Sequence, residues 1–173
     1  MLRFAALAPL VVAVTTIQDT PAIVIHKSIG DVRLGMARSA VQATYGPGRT
    51  ERLRHYFPVG TKYHGKVLYR TTYSLHGGKL IVGYVDGRVK MIETTSRYYR
   101  TRSGVGVGTR IPRGPCRPDG SGGCRYRWRG FEYDECGRAW LARSKRLTTI
   151  LYVRRARVYH LQLGEEDVVL YCF

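Results

Sequence analysis

The sequence is short of acidic residues, and it lacks the compact motifs that identify common catalytic and nucleotide-binding sites. Asp and Glu together number 12 against 29 Lys and Arg, so the formal net charge is +17. A Walker loop, an HExxH zinc motif and a Gly-x-Ser-x-Gly nucleophile motif are all absent from the sequence. The chain therefore has no recognisable catalytic centre, and its charge favours encounters with anionic partners.

A long apolar run is also missing. The apolar stretch from Phe4 to Val14 is too short to cross a bilayer, Arg3 precedes it, and small or polar residues follow. This arrangement is typical of a secretory signal peptide. We predict a signal peptide over residues 1–22, a mature form without a transmembrane segment, and a secreted or extracytoplasmic location in the cell envelope. An uncleaved anchor or a buried amino-terminal strand is the alternative.

Cysteine is scarce, and it is confined to the second half of the chain at Cys116, Cys124, Cys136 and Cys172. An even number of cysteines in an exported chain predicts two disulfides, with three possible connectivities. We favour pairing the first two, which closes a Gly-rich loop, and the last two, which ties the carboxyl-terminal segment to the body. A zinc site is the alternative, but the close C-x2-C pairs that structural zinc favours are absent. No metal site and no cofactor are predicted.

Turn residues divide the segment from Tyr69 to Thr95 into three runs rich in Tyr, Thr, Val and Ile. The turns are His76-Gly77-Gly78-Lys79 and Val85-Asp86-Gly87-Arg88. Two-residue hairpin turns need positive φ, which Gly adopts at no steric cost and Asp tolerates. The segment therefore predicts three antiparallel strands in a meander.

One stretch has helical character. From Met36 to Tyr45 there is no Gly or Pro, and apolar residues recur at helical spacing. Gly46 and Pro47 then end the helix, and no capping side chain stands immediately before Met36. Together with the meander this predicts an α+β fold, an antiparallel β-meander with one or two short packed helices.

The remaining segments carry weaker signals. We predict an edge strand or a simple lead-in at 22–26, a long loop or broken helix at 49–66, a bulged strand at 125–134, a helical turn or strand edge at 138–144, a second hairpin from 147–153 and 157–163, and a terminal strand at 167–173.

A weak internal repeat relates the two halves. Tyr84-Val85, a turn and Arg88-Val89 recur as Tyr152-Val153, a turn and Arg157-Val158, and Leu34-Gly35-Met36 is echoed by Val107-Gly108-Thr109. The pattern suggests two diverged tandem units, and chance similarity between two Val-rich hairpins is the alternative. We assign residues 23–102 to a helix-plus-meander unit and residues 103–173 to a second, diverged, disulfide-linked β-rich unit.

Three motifs follow one another in the first half: the run from Val32 to Val41, the segment Tyr45-Gly46-Pro47, and a meander with Val85-Asp86-Gly87-Arg88-Val89. Together they resemble the SmpA/OmlA type of small envelope lipoprotein. Tandem versions of similar units build β-lactamase inhibitory proteins. The resemblance covers residues 28–95 best, and it implies a helix pair packed on an antiparallel sheet that acts by binding proteins rather than by catalysis. The chain departs from the family at Ala37, where a capping Ser or Thr is usual, at Tyr45, where Leu is customary, and in lacking a lipid-accepting Cys.

Arginine and aromatic residues interleave in two segments, 97–102 and 125–129. Since Tyr, Trp and Arg dominate the hot spots of interfaces, the candidate contact residues are Tyr98, Tyr99, Arg100, Arg102, Tyr126 and Trp128. We expect an exported, non-enzymatic binding protein that recognises a protein or an anionic envelope component through its sheet and its basic and aromatic loops. Strands with aromatics in the core and Arg in water would produce the same alternation.

The alternative function is a polyanion or nucleic-acid binder, or a small basic secreted ribonuclease-like enzyme. Alternating Arg and aromatic side chains suit single-stranded nucleic acid, which needs stacking and phosphate neutralisation. A ribonuclease needs a general base, a general acid and a cation, and the available groups are His55, His64, His76 and His160 with Glu93 and an Arg. No motif fixes their geometry, so nucleic acid is the less favoured partner.

Overall fold

The computed structural model describes residues 22–54, 57–112, 117–118, 124–134 and 139–169. They form fifteen strands and one helix in these ranges. The elements are β1 (Ala22–Val24), β2 (Ser28–Ile29), β3 (Val32–Arg33), α1 (Arg38–Tyr45), β4 (Arg49–Leu53), β5 (Leu68–Leu75), β6 (Gly78–Val85), β7 (Arg88–Thr94), β8 (Arg100–Thr101), β9 (Arg117–Pro118), β10 (Cys124–Arg125), β11 (Arg127–Trp128), β12 (Phe131–Asp134), β13 (Ala139–Ser144), β14 (Leu147–Arg154) and β15 (Arg157–Glu165).

A nine-stranded antiparallel sheet runs through both halves of the chain in the order β11-β12-β13-β14-β15-β7-β6-β5-β4. The halves meet where β15 pairs with β7, with Leu161 opposite Thr94 and Gln162 opposite Glu93. A second sheet has the order β3-β2-β1-β8, and β9 pairs with β10. The antiparallel, β-rich α+β prediction is confirmed, with one helix in the described part of the chain.

The predicted meander is confirmed as β5, β6 and β7. Its first turn has His76 at φ 49° and Gly77 at φ 67°, and its second has Asp86 at φ 50° and Gly87 at φ 71°. Two consecutive residues with positive φ define the primed turns whose twist matches that of the flanking strands.

The helix is shorter than predicted by two residues at its start. Ala37 is the N-cap and forms no side-chain capping bond, as expected from the sequence. At the other end Gly46 has φ 75°, and its amide donates to the carbonyl of Gln42 at 2.8 Å. In the described ranges, no helix has the length and apolar character needed to span a membrane.

Two predictions for the first half were wrong. Residues 49–53, expected within a loop or broken helix, form β4, which pairs with β5 and stands last in the strand order of the large sheet. Four of its five side chains are exposed, so the strand carries no apolar alternation to reveal it. β1 was expected at an edge or as a lead-in, but it lies between β2 and β8.

The second half also differs from expectation. The segment 125–134, predicted as one bulged strand, contains instead a tight hairpin of β11 and β12, joined by Arg129 at φ 49° and Gly130 at φ 84°. Of the two alternatives for 138–144, a helical turn or a strand edge, the strand is found, as β13 over residues 139–144. Residues 166–168 make a turn after β15 rather than the start of a terminal strand. Several predictions fall on residues that the structure does not describe. They concern the signal peptide up to residue 21, His55, the terminal strand from residue 170, and the two disulfides, which involve Cys116, Cys136, Cys172 and the side chain of Cys124.

Buried side chains cover both faces of the large sheet. On one face Leu80, Val82 and Tyr84 of β6 pack in a cluster that also contains Val41 of α1 and Leu161 of β15. The other face carries a second cluster, which includes Phe57, Tyr63, Leu68, Met91, Ile150, Val168 and Val169. Each cluster draws residues from both halves of the chain, so the halves share their cores.

On the second face, a carboxylate connects the 57–67 loop to the sheet. Glu165 lies 2.6 Å from Lys90 Nζ, and the Tyr63 hydroxyl donates to its other oxygen. Burial acts to raise the pKa of Glu165, but the hydrogen bonds from Lys90 and Tyr63 outweigh it and leave that pKa lowered. Burial, reinforced by the bond to Glu165, raises the pKa of Tyr63 to about 12.

The hydrogen bonds that surround the β6–β7 hairpin recur around the β14–β15 hairpin. The Gly35 amide donates to Val89 O at 2.8 Å, and the Gly108 amide donates to Val158 O at 2.6 Å. Three further pairs of features correspond: the isolated bridges Ala37–Arg88 and Arg110–Arg157, the side-chain bonds Arg88 to Gly35 O and Arg157 to Gly108 O, and the register shifts at Gly83/Tyr84 and Tyr152/Val153.

Candidate functional site

An open groove of about 620 Å³ lies where the small sheet, the end of α1 and the β5–β6 turn meet. The side chains that give it its character are Val24, Lys27, Asp31, Arg33, His76 and Tyr98. Val24 and Tyr98 are 44% and 43% exposed, which is unusual for large apolar or aromatic side chains in this chain. The groove therefore combines accessible apolar surface with charge.

A stacked pair of rings forms one wall of the groove. His76 lies in the β5–β6 turn, and its ring stacks on Tyr98 with centroids 3.8 Å apart and planes inclined by 22°. Tyr98 also meets the edge of Tyr99 at 5.5 Å. Because the exposed ring is supported from two sides, it can bind a partner with little loss of side-chain entropy.

Ser96 holds this pair in place. Its hydroxyl donates to the His76 carbonyl at 2.9 Å and accepts from the Tyr98 amide at 3.2 Å, and Ser96 is fully buried. The approach depends on Gly78, because a Cβ there would lie 2.5 Å from the Ser96 Cα. A buried serine thus joins the hairpin turn to the aromatic segment.

Tyr99 is not available to a partner. It is 2% exposed, and its ring packs so closely against Gly30 that a Cβ there would lie 2.9 Å from it. Burial raises the pKa of its hydroxyl above the ordinary value. The inclusion of Tyr99 among contact residues was therefore wrong, since in this Tyr-Tyr pair only Tyr98 faces out.

The charges in the groove are unbalanced. Lys27, Asp31 and Arg33 are all exposed. The Tyr45 hydroxyl donates to Asp31 over 3.5 Å, whereas neither Lys27 nor Arg33 contacts a carboxylate within the described residues. Two cations against one carboxylate favour an anionic occupant.

Arg100 and Arg102 have different surroundings. Arg100 is half-buried, and its guanidinium donates to Thr109 Oγ1 at 2.8 Å and to Arg97 O at 3.2 Å. It braces the Gly-rich segment that follows, in which Val105 and Val107 are buried. Arg102 is exposed in the next turn. Arg100 therefore stabilises the local fold through these hydrogen bonds, whereas the side chain of Arg102 is accessible to a partner.

Tyr126 and Trp128 belong to an aromatic cluster in the second half. Tyr126 meets the edge of Tyr133 at 6.1 Å, and Trp128 meets the edge of Trp140 at 6.2 Å. The Arg129 guanidinium lies 5.4 Å above the Trp128 ring. Neither residue lines the groove, and the Arg129 guanidinium also donates to the Ser103 carbonyl, which connects this cluster to the turn that carries Arg102.

A polar cluster occupies the second face of the large sheet. Glu93 is 6% exposed, and its Oε2 lies 3.0 Å from His160 Nε2 and 3.8 Å from Arg70 Nη2. The His160 ring stacks on Tyr152 at 5.0 Å, and the Tyr152 hydroxyl donates to Gln162. Among the described titratable groups that the sequence offered for ribonuclease chemistry, Glu93, His160 and an Arg are brought together here, whereas His64 and His76 lie elsewhere.

Comparisons with known proteins show a likeness of fold. No protein-family model and no curated protein matches the sequence. A cysteine-rich secretory protein from Staphylococcus aureus has 10% identity and a TM-score of 0.50, over 78% of this chain and 45% of that one. An extracellular SCP-domain protein from Bacillus anthracis has 11% identity and a TM-score of 0.52, over 80% and 46%. The chain spans less than half the length of either.

A third solved structure is less similar. The uncharacterized protein yfeY from Escherichia coli has 11% identity and a TM-score of 0.44, over 82% of this chain and 99% of that one. Among the residues that the structure describes, no group of three or more His, Cys, Asp and Glu side chains is placed to hold a metal ion.

Proposed function

We propose that this chain is an exported, non-enzymatic binding protein whose groove takes an acidic, extended segment of a partner protein. The observation that carries the proposal is the pairing of the supported Tyr98–His76 stack with the two cations Lys27 and Arg33 in one groove. An exposed aromatic ring beside unpaired cations is the composition of an interface hot spot.

The proposal includes export and two diverged tandem units related to the SmpA/OmlA type. Export rests on the amino-terminal pattern of Arg3, an apolar run and small residues. The tandem arrangement is supported by the matching hydrogen bonds of Gly35 and Gly108 and by the order of the strands, in which β7 and β15 are neighbours at the centre. Two disulfides among the four cysteines complete the proposal.

The test uses the full-length protein and a fluorescent twelve-residue peptide of Glu and Asp with one central Phe. K27E/R33E is expected to weaken binding by about tenfold or more, because each reversal replaces an attraction with a repulsion. Y98A is expected to weaken it about tenfold with an unchanged salt dependence, since it removes an apolar contact. Fluorescence anisotropy measures both.

K145E/R146E is the matched control, because it changes the net charge by the same four units in an exposed turn outside the groove. Equal weakening by the control and by K27E/R33E would show that only the overall field matters, and would overturn the groove as the site. A wild type that does not bind the peptide at all would also overturn it.

A second candidate function is ribonuclease-like cleavage, favoured by the contact of Glu93 with His160 beside Arg70. A carboxylate, an imidazole and a guanidinium are the groups that general acid–base cleavage of a phosphodiester uses. If the wild type cleaves single-stranded RNA without added metal, H160A and E93Q should each lower the rate by about 100-fold or more, while H76A should not. Absence of cleavage by the wild type would end this candidate.

A further inference from the structure

Four exposed arginines gather at the tip of the β14–β15 hairpin: Arg110, Arg154, Arg155 and Arg157. Arg154 pairs directly with Arg157 at the end of the ladder, and Arg110 bridges to Arg157 from the other side. Directly opposed residues have Cβ atoms about 5 Å apart with side chains on one face. Arg110, Arg157 and Arg154 therefore form a row of adjacent arginines on one face, and Arg155 adds a fourth guanidinium group from the turn.

This tip is unfavourable for folding. Like charges directly opposed across a ladder repel each other, and among the described residues none of the four arginines forms an ion pair with a carboxylate. The turn residues Arg155 and Ala156 have φ 49° and 58°, a region in which residues with a Cβ are strained. Local features that oppose stability are concentrated where a protein binds ligands.

The equivalent tip in the first half shows that the backbone does not need these arginines. The first tip has Ala37, Val85, Asp86 and Gly87 at the positions that Arg110, Arg154, Arg155 and Ala156, in that order, occupy in the second. Asp-Gly is a favoured turn pair, and Asp86 lies 3.2 Å from Lys66. Only Arg88 has an arginine counterpart, Arg157, and each donates to a glycine carbonyl in the same way.

An exposed ring stands next to the arginine row. Tyr159 is 51% exposed, and its ring lies 6.4 Å from the ring of Tyr152. It lies along β15 between Arg157 and His160. A row of guanidinium groups followed by an accessible aromatic ring offers phosphate contacts and a stacking surface in sequence.

We propose that this tip, with Tyr159, binds the sugar–phosphate backbone and a base of a single-stranded nucleic acid without sequence preference. Guanidinium groups bind phosphate oxygens in a bidentate geometry, and aromatic side chains stack on any base. The tip shares no residue with the groove, so the groove and this site stand or fall separately.

The test measures binding of a fluorescent twenty-nucleotide oligothymidylate over a salt series. Each phosphate contact in single-stranded binding contributes about 0.7 to the slope of log affinity against log salt. R110A/R154V/R155D/A156G gives the second tip the residues of the first, and it removes three arginines. It is expected to lower the slope by about 2 and the affinity by about tenfold or more, while the unfolding midpoint stays equal or rises.

Y159A should weaken binding by about fivefold or more with an unchanged slope, because stacking is not ionic. K145E/R146E is the matched control, since it changes the net charge by the same four units in an exposed turn outside both the tip and the groove. An unaltered affinity in the tip variant, or an equal loss in the control, would overturn the proposal. Binding to anionic phospholipid vesicles without binding to the oligonucleotide would assign the tip to a membrane surface instead, and would overturn it too.

Discussion

Replacing Leu80 with alanine is expected to lower the unfolding midpoint that is reported by tryptophans in the other half of the chain. Leu80 lies in β6 and is fully buried in a cluster that also contains Trp140 and Leu161. Removing a large buried side chain costs about 2–5 kcal/mol, since the site collapses only in part. Both tryptophans, Trp128 and Trp140, are in the second half.

Because β15 pairs with β7 and both halves contribute to each core cluster, the two halves are expected to unfold together. Tryptophan fluorescence and far-ultraviolet circular dichroism in a denaturant titration should therefore shift by the same amount in L80A. Lys79→Ala, at the exposed neighbouring position, should shift neither. A fluorescence transition that stays in place while the dichroism transition moves would show that the halves unfold independently.

The sequence predicted those elements whose signals are local. The β5–β6–β7 meander was recognisable because Gly and Asp at its turns, and alternation along its strands, act within a few residues. The β14–β15 hairpin was recognisable from the β-forming residues along its two strands, since its turn has neither Gly nor Asp. β4 was missed because its side chains are mostly exposed on both faces, and an edge strand needs no apolar pattern. The Arg129-Gly130 turn was missed because Arg at positive φ is not a turn signal.

The candidate sites were predicted only in part, because they depend on contacts between distant segments. The Arg-Tyr segment pointed to Tyr98, but two adjacent tyrosines in an irregular segment do not reveal which one is buried. Lys27 and Arg33 gave no signal beyond being charged residues in turns. Glu93 and His160 meet only because β15 adds to the edge of the meander at β7, and strand pairing over that separation is not encoded in a local pattern.

Comparing the β6–β7 and β14–β15 hairpins helps where single segments do not. Read alone, Arg154-Arg155-Ala156 is only a basic turn, and the +17 charge makes such turns commonplace. The pairs Val85–Arg88 and Arg154–Arg157 end the two ladders at the same point, one residue out of step with the Val85–Val153 match of the sequence pattern. At that point the favourable Asp86-Gly87 turn of one hairpin is replaced by Arg155-Ala156 in the other. That contrast separates the tip from the rest of the basic surface.

Substituting Gly164 with alanine is expected to lower the free energy of unfolding by about 1–3 kcal/mol, because the new methyl group has no room. Gly164 lies opposite Met91 at the junction of β15 and β7. A Cβ at this position would lie 2.7 Å from the Lys90 carbonyl oxygen and 2.6 Å from Val169 Cγ2. The backbone carbonyl can yield only if the ladder between the two halves moves. Urea denaturation measures the loss.

Gly83 provides a matched comparison, because it lies opposite the same Met91 on the other side of β7. There a Cβ would approach the Met91 side chain at 2.9 Å and Leu68 Cδ1 at 3.3 Å, and it would meet no backbone atom at closer range. A methionine side chain is flexible and can move aside, so Gly83→Ala should cost clearly less than Gly164→Ala. Equal costs at the two positions would mean that β15 and β7 are not held as tightly as the register indicates, and a negligible cost at Gly164 would contradict the pairing that joins the two halves.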